Sequence, residues 1–274
     1  MASPEPSTYI TPSPSSGPFP PKPTLLAFHG SGSNATIHTI QLARLARLLK
    51  PYLAIHSLDA PFPSPPGPGI LPFFDGCGPY KRWLPLTEKV SVEAMQNGTS
   101  TAELGSEVED VVRAAVAQVR GAGGQVVGLI GFSQGTKVVA GLLHGTQIRR
   151  KYKIAEEDWC EFRFGVCVCP SFPPPLVPRS VLALLSEEQR DKVRGEKIQA
   201  PSFLVLGKQD EWHWAGKSMA ERHFETGTGS TEVAEWDIGH HYPVAPEESE
   251  RIKDWILALL GDVSTGEEEE EVAR

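Results

Sequence analysis

Four cysteines in 274 residues are too few to staple a chain of this size, and their spacing makes no disulfide framework. Cys167 and Cys169 alternate along an apolar run and are expected on one buried face of a strand. No second pair lies at ligand spacing to complete a zinc site with them, so no metal is expected. Basic residues are also in deficit: the formal net charge is −8. Without a basic patch the chain has nothing to draw in nucleic acid. Long hydrophobic runs are missing as well. Nothing approaches the roughly 20 apolar residues of a membrane span, and the amino end has neither the basic start nor the apolar stretch of a secretion signal. These absences point to a cytoplasmic protein with no membrane partner.

The length suits one large domain with a full core. Residues 1–23, rich in Pro and Ser, are expected to form a disordered extension, and residues 262–274, with five consecutive acids at Glu267–Glu271, a disordered acidic tail. The domain between them, 24–261, alternates strand and helix signals. Short apolar runs at 24–28, 53–58, 125–130, 162–169, 202–206 and 231–236 read as strands buried on both faces. Helical spacing runs from about Thr36 to Leu49, 103 to 120, 136 to 144 and 247 to 260. Two stretches, 59–86 and 170–195, read as irregular insertions. The pattern predicts an α/β fold: a doubly wound, mostly parallel six-stranded sheet with helices on both faces. Ligands of such sheets bind beyond the carboxyl ends of the strands.

Gly131-Phe132-Ser133-Gln134-Gly135 stands between a strand and a helix. A serine with glycine at both second neighbours, in that setting, is the nucleophile-elbow pattern. The turn is strained, and a Cβ on either side would collide with the neighbouring helix or strand. A serine hydroxyl is a poor nucleophile near neutral pH, so it needs a histidine base held by a carboxylate. Asp210 lies just beyond the strand 202–206, and His240 just beyond the strand 231–236, in the chain order serine, acid, histidine. Asp237 is an alternative acid, but at three residues from His240 it would have to curl back. His241 is an alternative base, expected to point away and to stabilise its loop. An oxyanion hole needs two converging backbone N–H groups. Gln134, directly after the serine, and Ser31, after His29-Gly30, are the candidates, and His29 reads as a brace for that loop. Aromatics on the loops at this end, Phe73, Phe74, Tyr80, Trp83 and Trp212, are candidates for lining an apolar acyl site, with Trp83 and Trp212 preferred.

Phe28-His29-Gly30-Ser31-Gly32-Ser33-Asn34, Asp59-Ala60-Pro61-Phe62, Pro79-Tyr80-Lys81-Arg82-Trp83, the elbow, Gly207 to Asp210, and Gly239-His240-His241 followed by Pro243 together resemble the fungal serine hydrolase (FSH) family of α/β-hydrolases. The resemblance spans about Thr24 to Leu260. It implies an α/β-hydrolase with a Ser133–Asp210–His240 triad and no cofactor. It also implies an ester or carrier-bound thioester substrate, with a polyketide synthase of secondary metabolism as a partner, since family members include esterases and thioesterases of fungal polyketide pathways. Two rival classes stay open. Gly30-Ser31-Gly32-Ser33-Asn34-Ala35 satisfies a dinucleotide fingerprint with Asp59 placed for a ribose, which would make the chain an oxidoreductase. A hydrolase fold can also serve as a non-catalytic binding protein.

Overall fold

The computed structural model describes residues 22–88, 92–97 and 99–261. Most of the expected amino-terminal extension and all of the acidic tail lie outside the described residues. β1 (Thr24–Phe28) leads into two short helices, α1 (Ala35–Gln41) and α2 (Ala43–Leu49), then β2 (Ala54–Leu58). The single helix expected to Leu49 is thus broken at Leu42, which caps one piece and starts the next. The first irregular stretch holds a small antiparallel pair, β3 (Phe62–Pro63) and β4 (Lys81–Arg82). After α3 (Val92–Gln96) and β5 (Glu103–Leu104), α4 (Ser106–Gly121) packs Val108, Val112, Ala115 and Val116 inward, at helical spacing.

β6 (Val126–Phe132) is buried along its whole length, and α5 (Gly135–Tyr152) follows it after the elbow. The second stretch expected to be irregular, 170–195, folds into β8 (Val177–Pro178), α6 (Arg179–Ala183) and α7 (Glu187–Arg194), after β7 (Phe164–Val168). It lies directly on α5: a Cβ at Gly141 would stand 1.7 Å from the Leu176 carbonyl oxygen. That approach needs a residue without a side chain. β9 (Ser202–Gly207), α8 (His213–His223), β10 (Thr231–Trp236) and α9 (Pro246–Gly261) complete the chain.

The main sheet has the order β10-β9-β7-β6-β1-β2, with every neighbouring pair parallel. Alternate residues of each strand feed two cores. Leu26, Phe28 and Leu129 join α4, α5 and α8 on one face, whereas Leu25, Ala27 and Ile130 join α2 and α9 on the other. Helices on both faces are what a continuous apolar parallel sheet requires. Cys167 and Cys169 do not share a face. Cys167 belongs to the first core and Cys169 to the second, because the strand stops at Val168 and Cys169 takes a left-handed backbone, φ 47°. Among the described residues, no helix is long and apolar enough to cross a membrane.

Candidate active site

Every predicted site residue sits beyond a strand's carboxyl end. Ser133 follows β6 directly, at φ 49°, a backbone that residues with a side chain rarely adopt. Its flanking glycines are sterically compelled. A Cβ at Gly135 would lie 2.1 Å from the Phe28 carbonyl oxygen, and one at Gly131 would lie 2.8 Å from the Gly135 carbonyl carbon. So β6 and α5 are drawn together and against β1, and the serine is pushed outward at the apex.

Asp210 stands three residues past β9. Its side chain is 2 % exposed, and Oδ2 lies 2.7 Å from His240 Nδ1. Oδ1 accepts the Trp212 N–H at 2.8 Å. Burial pushes the Asp210 carboxyl up, but the His240 and Trp212 hydrogen bonds, with further help from the Cys169 thiol, hold it below the usual range. Asp237, the alternative acid, is exposed and accepts from Gln209 Nε2 at 2.8 Å instead. His241 turns its Nδ1 to the Tyr242 carbonyl at 2.8 Å. Cys169 Sγ, Asp210 and His240 offer three ligand atoms within 4.8 Å of one another. Burial, however, pushes that thiol far up and keeps its proton on, while the carboxylate and the imidazole are engaged with each other. The cluster therefore reads as a braced acid–histidine pair.

Ser133, His240, Ser31 and Gln134 open onto one cavity of about 680 Å³. No hydrogen bond joins the Ser133 hydroxyl to His240 among the described residues, an openness common in such pairs before substrate binds. A Cβ on Gly30 would lie 3.4 Å from Ser133 Cβ, which shows how close the first loop comes to the elbow. Neither the Ser31 nor the Gln134 amide donates to an acceptor among the described residues. The Ser31–Gly32 turn is held from outside by two contacts: Gly32 N–H donates to the Lys81 carbonyl at 2.8 Å, and Gly67 N–H to the Gly32 carbonyl at 3.0 Å.

The apolar part of the wall comes from Ile70, Phe73, Phe74, Leu84, Phe172 and Trp212. Of the five candidate aromatics, Phe73, Phe74 and Trp212 stand in this wall. Trp83 and Tyr80 do not. Trp83 is 1 % exposed and packs on Phe28 and His29, with ring centroids 5.2 and 5.1 Å away. Its indole N–H donates to the His29 carbonyl at 2.7 Å, and its backbone N–H to Gln134 Oε1 at 2.8 Å. Large and apolar, it is more stable inside the core than in a loop wall, and it bolts the first loop to the elbow. The Tyr80 hydroxyl donates to the Phe74 carbonyl at 2.7 Å and staples its own loop. His29 braces as well. Its Nδ1 lies 2.7 Å from the Gly30 carbonyl and its Nε2 accepts the Ala60 N–H at 3.1 Å, while burial pushes it down to about 4.

Several cavity residues have no site role assigned from the sequence, among them the two basic ones, Arg82 and Lys137. Lys137 sits one helical turn after Ser133, so its position was available from the spacing, though its burial was not. Its ammonium donates to the Phe172 and Pro174 carbonyls at 3.0 and 2.6 Å, and burial pushes it down to about 7.

The dinucleotide fingerprint has another use here. Asn34 Oδ1 caps Ile37 N–H at 2.9 Å and Asp59 Oδ1 accepts Ala35 N–H at 2.8 Å. The amides a pyrophosphate would seek at the start of α1 are met by the chain's own side chains.

Comparison with known proteins gives the family and the fold. The model of the serine hydrolase (FSH1) family matches residues 19–252. The esterase citA of Monascus ruber is 30 % identical over 233 residues, covering 81 % of this chain and 86 % of that protein. The thioesterase FSL2 of Gibberella zeae is 25 % identical over 251 residues, covering 89 % and 94 %. Among solved structures, esterase PE8 superposes with a TM-score of 0.52 at 17 % identity, over 87 % of this chain and 93 % of that one, a likeness of fold. The chain belongs to the FSH1 serine hydrolase family.

Proposed function

We propose that the chain cleaves carboxylic ester or thioester bonds of largely apolar acyl substrates by acyl transfer through Ser133, His240 and Asp210. The observation that carries this is the 2.7 Å contact of His240 Nδ1 with the buried Asp210 carboxylate, on the rim of the cavity that also holds the elbow serine. Asp210 keeps the proton on Nδ1, which leaves Nε2 as the base for the Ser133 hydroxyl. The alkoxide attacks the carbonyl carbon, and the Ser31 and Gln134 amides receive the developing oxyanion. His240 then returns its proton to the departing alcohol or thiol. Water, activated by the same imidazole, attacks the acyl-serine and frees the acid. Each step uses groups of this chain and water alone.

The finer reading is that the acyl chain is a polyketide, carried as a synthase-bound thioester in the cytoplasm and released in fungal secondary metabolism. It is supported by the fungal relatives named esterase or thioesterase and by the aromatic wall. The four free thiols suit a reducing compartment.

The test is covalent labelling by a fluorophosphonate, with turnover of p-nitrophenyl esters and acyl thioesters of graded length. Wild type should label and turn over, and Ser133→Ala should lose about 10⁴-fold or more in rate with its melting temperature unchanged. A folded Ser133→Ala chain that stays active rules out the assignment. A wild-type chain that neither labels nor turns over would leave the non-catalytic reading standing.

A further inference from the structure

The cavity wall carries more positive charge and more unused hydrogen-bonding capacity than ester cleavage calls for. Arg82 and Lys137 both lie in it and, among the described residues, no Asp or Glu does, in a chain of formal net charge −8. The Lys137 ammonium is engaged by two backbone carbonyls. Arg82 is different. Among the described residues its Nε is buried without a partner, and burial pushes its guanidinium down. Two further buried atoms without partners belong to the same wall, Ser33 Oγ and Gln41 Oε1. Buried polar groups are rarely left unmade, because each forfeits the hydrogen bonds it would have in water. All three atoms are shut off from the cavity space, so what a ligand can meet there is the outer end of the Arg82 guanidinium, which makes no hydrogen bond or ion pair among the described residues.

Its place in the fold indicates which part of a substrate it meets. Arg82 is carried by β4, whose Lys81 exchanges backbone hydrogen bonds with Gly32 and Ser33, at 2.8 and 2.6 Å. The group therefore adjoins the Ser31 loop. A leaving group must stay within reach of His240, on the side of the wall formed by His240 and His241, so the Arg82 side is left to the acyl half. Arg82 supplies a planar fork suited to a carboxylate.

Resting on the hydrolase reading above, we propose that Arg82 forms a subsite for a carboxylate on the acyl chain, so that the favoured substrate is an ester or thioester of a dicarboxylic acid.

The experiment compares mono-p-nitrophenyl glutarate with neutral p-nitrophenyl valerate, reading the ratio of their kcat/KM values in wild type, Arg82→Gln and Arg82→Lys. Wild type should favour the glutarate ester by about tenfold or more, the size expected for a charge-assisted hydrogen bond. Arg82→Gln should lose that preference and Arg82→Lys keep part of it. A wild-type preference for valerate, or a ratio that moves less than about threefold in Arg82→Gln, overturns the subsite. A stronger response to the phosphate of acyl-phosphopantetheine than to the glutarate carboxylate overturns its placement on the acyl side. Calorimetric titration of wild type and Ser133→Ala with glutarate provides a second readout that needs neither turnover nor an Arg82 variant. Saturable, salt-sensitive binding supports the subsite and its absence overturns it. If neither ester is turned over and Ser133 does not label, the hydrolase reading fails, and the titration still decides the subsite.

Discussion

Replacing Asp210 by Asn keeps the shape of the acid and removes its charge, and the hydrogen bonds around it set the cost. In the native site Oδ1 accepts from the Trp212 amide and Oδ2 faces His240 Nδ1. An asparagine has one acceptor and one donor end. If its oxygen stays with Trp212, its NH₂ points at Nδ1 and forces the proton onto Nε2, which can then no longer accept from Ser133. If it flips, two N–H groups meet head-on at about the 2.8 Å now spanned by the Trp212 bond. Such a buried mismatch costs about 1–3 kcal/mol, so the productive tautomer becomes a minority state by roughly 5- to 150-fold. The carboxylate that steadies the imidazolium is lost in either case. Together these give a fall of about 10³- to 10⁴-fold in kcat/KM. The measurement is p-nitrophenyl ester turnover with the rate of fluorophosphonate labelling, alongside a melting curve to show the fold intact. Asp237→Asn is the control. Its carboxylate is exposed and bonded to Gln209, so activity should stay within about threefold of wild type. A folded Asp210→Asn chain within tenfold of wild type, or an Asp237→Asn chain that loses more than it does, would refute the assignment of the acid.

Two further predictions concern the scaffold. Gly135→Ala puts a methyl 2.1 Å from the Phe28 carbonyl oxygen, backbone that cannot swing away, so α5 must lift and carry the elbow with it. Stability should drop by about 3 kcal/mol or more in urea unfolding, with activity falling too; an unchanged urea midpoint would contradict the packing. Burial also pushes His29, His144 and His223 down to about 4 and His38 to about 3. These groups are neutral in the fold but protonate below about pH 6.5 once unfolded. The unfolded chain therefore binds more protons as pH falls, and stability present above pH 6.5 is lost toward pH 4. Each can remove about 2 kcal/mol by pH 5, a large share of an ordinary domain's stability. Urea midpoints measured at pH 7 and pH 5 should differ strongly, and equal values would show that these imidazoles are not held neutral.

Local sterics and periodicity were readable in the chain itself: six apolar strand runs, the serine between two glycines, and an acid and a histidine each just past a strand end. These arise from backbone geometry over a few residues, so the sequence alone determined the sheet and the positions of Ser133, Asp210 and His240 along it. The choice between Asp210 and Asp237 was only favoured there. It became visible with the direction each carboxylate takes, toward His240 or toward Gln209. Other features depend wholly on distant partners. Trp83 faces the core because Phe28, His29 and Gln134 offer it a packed, hydrogen-bonded seat. Cys169 leaves the face of Cys167 because the strand ends one residue early. Residues 170–195 hold a short strand and two helices rather than an irregular loop because they lie on α5, whose small residues let them come close. Arg82 stands in the cavity wall with its Nε unpartnered because, among the described residues, the loops that fold around it bring no acid there. Tertiary structure decided these points, since a loop side chain turns toward whichever long-range neighbour offsets its desolvation, and that neighbour is not encoded in the adjoining residues.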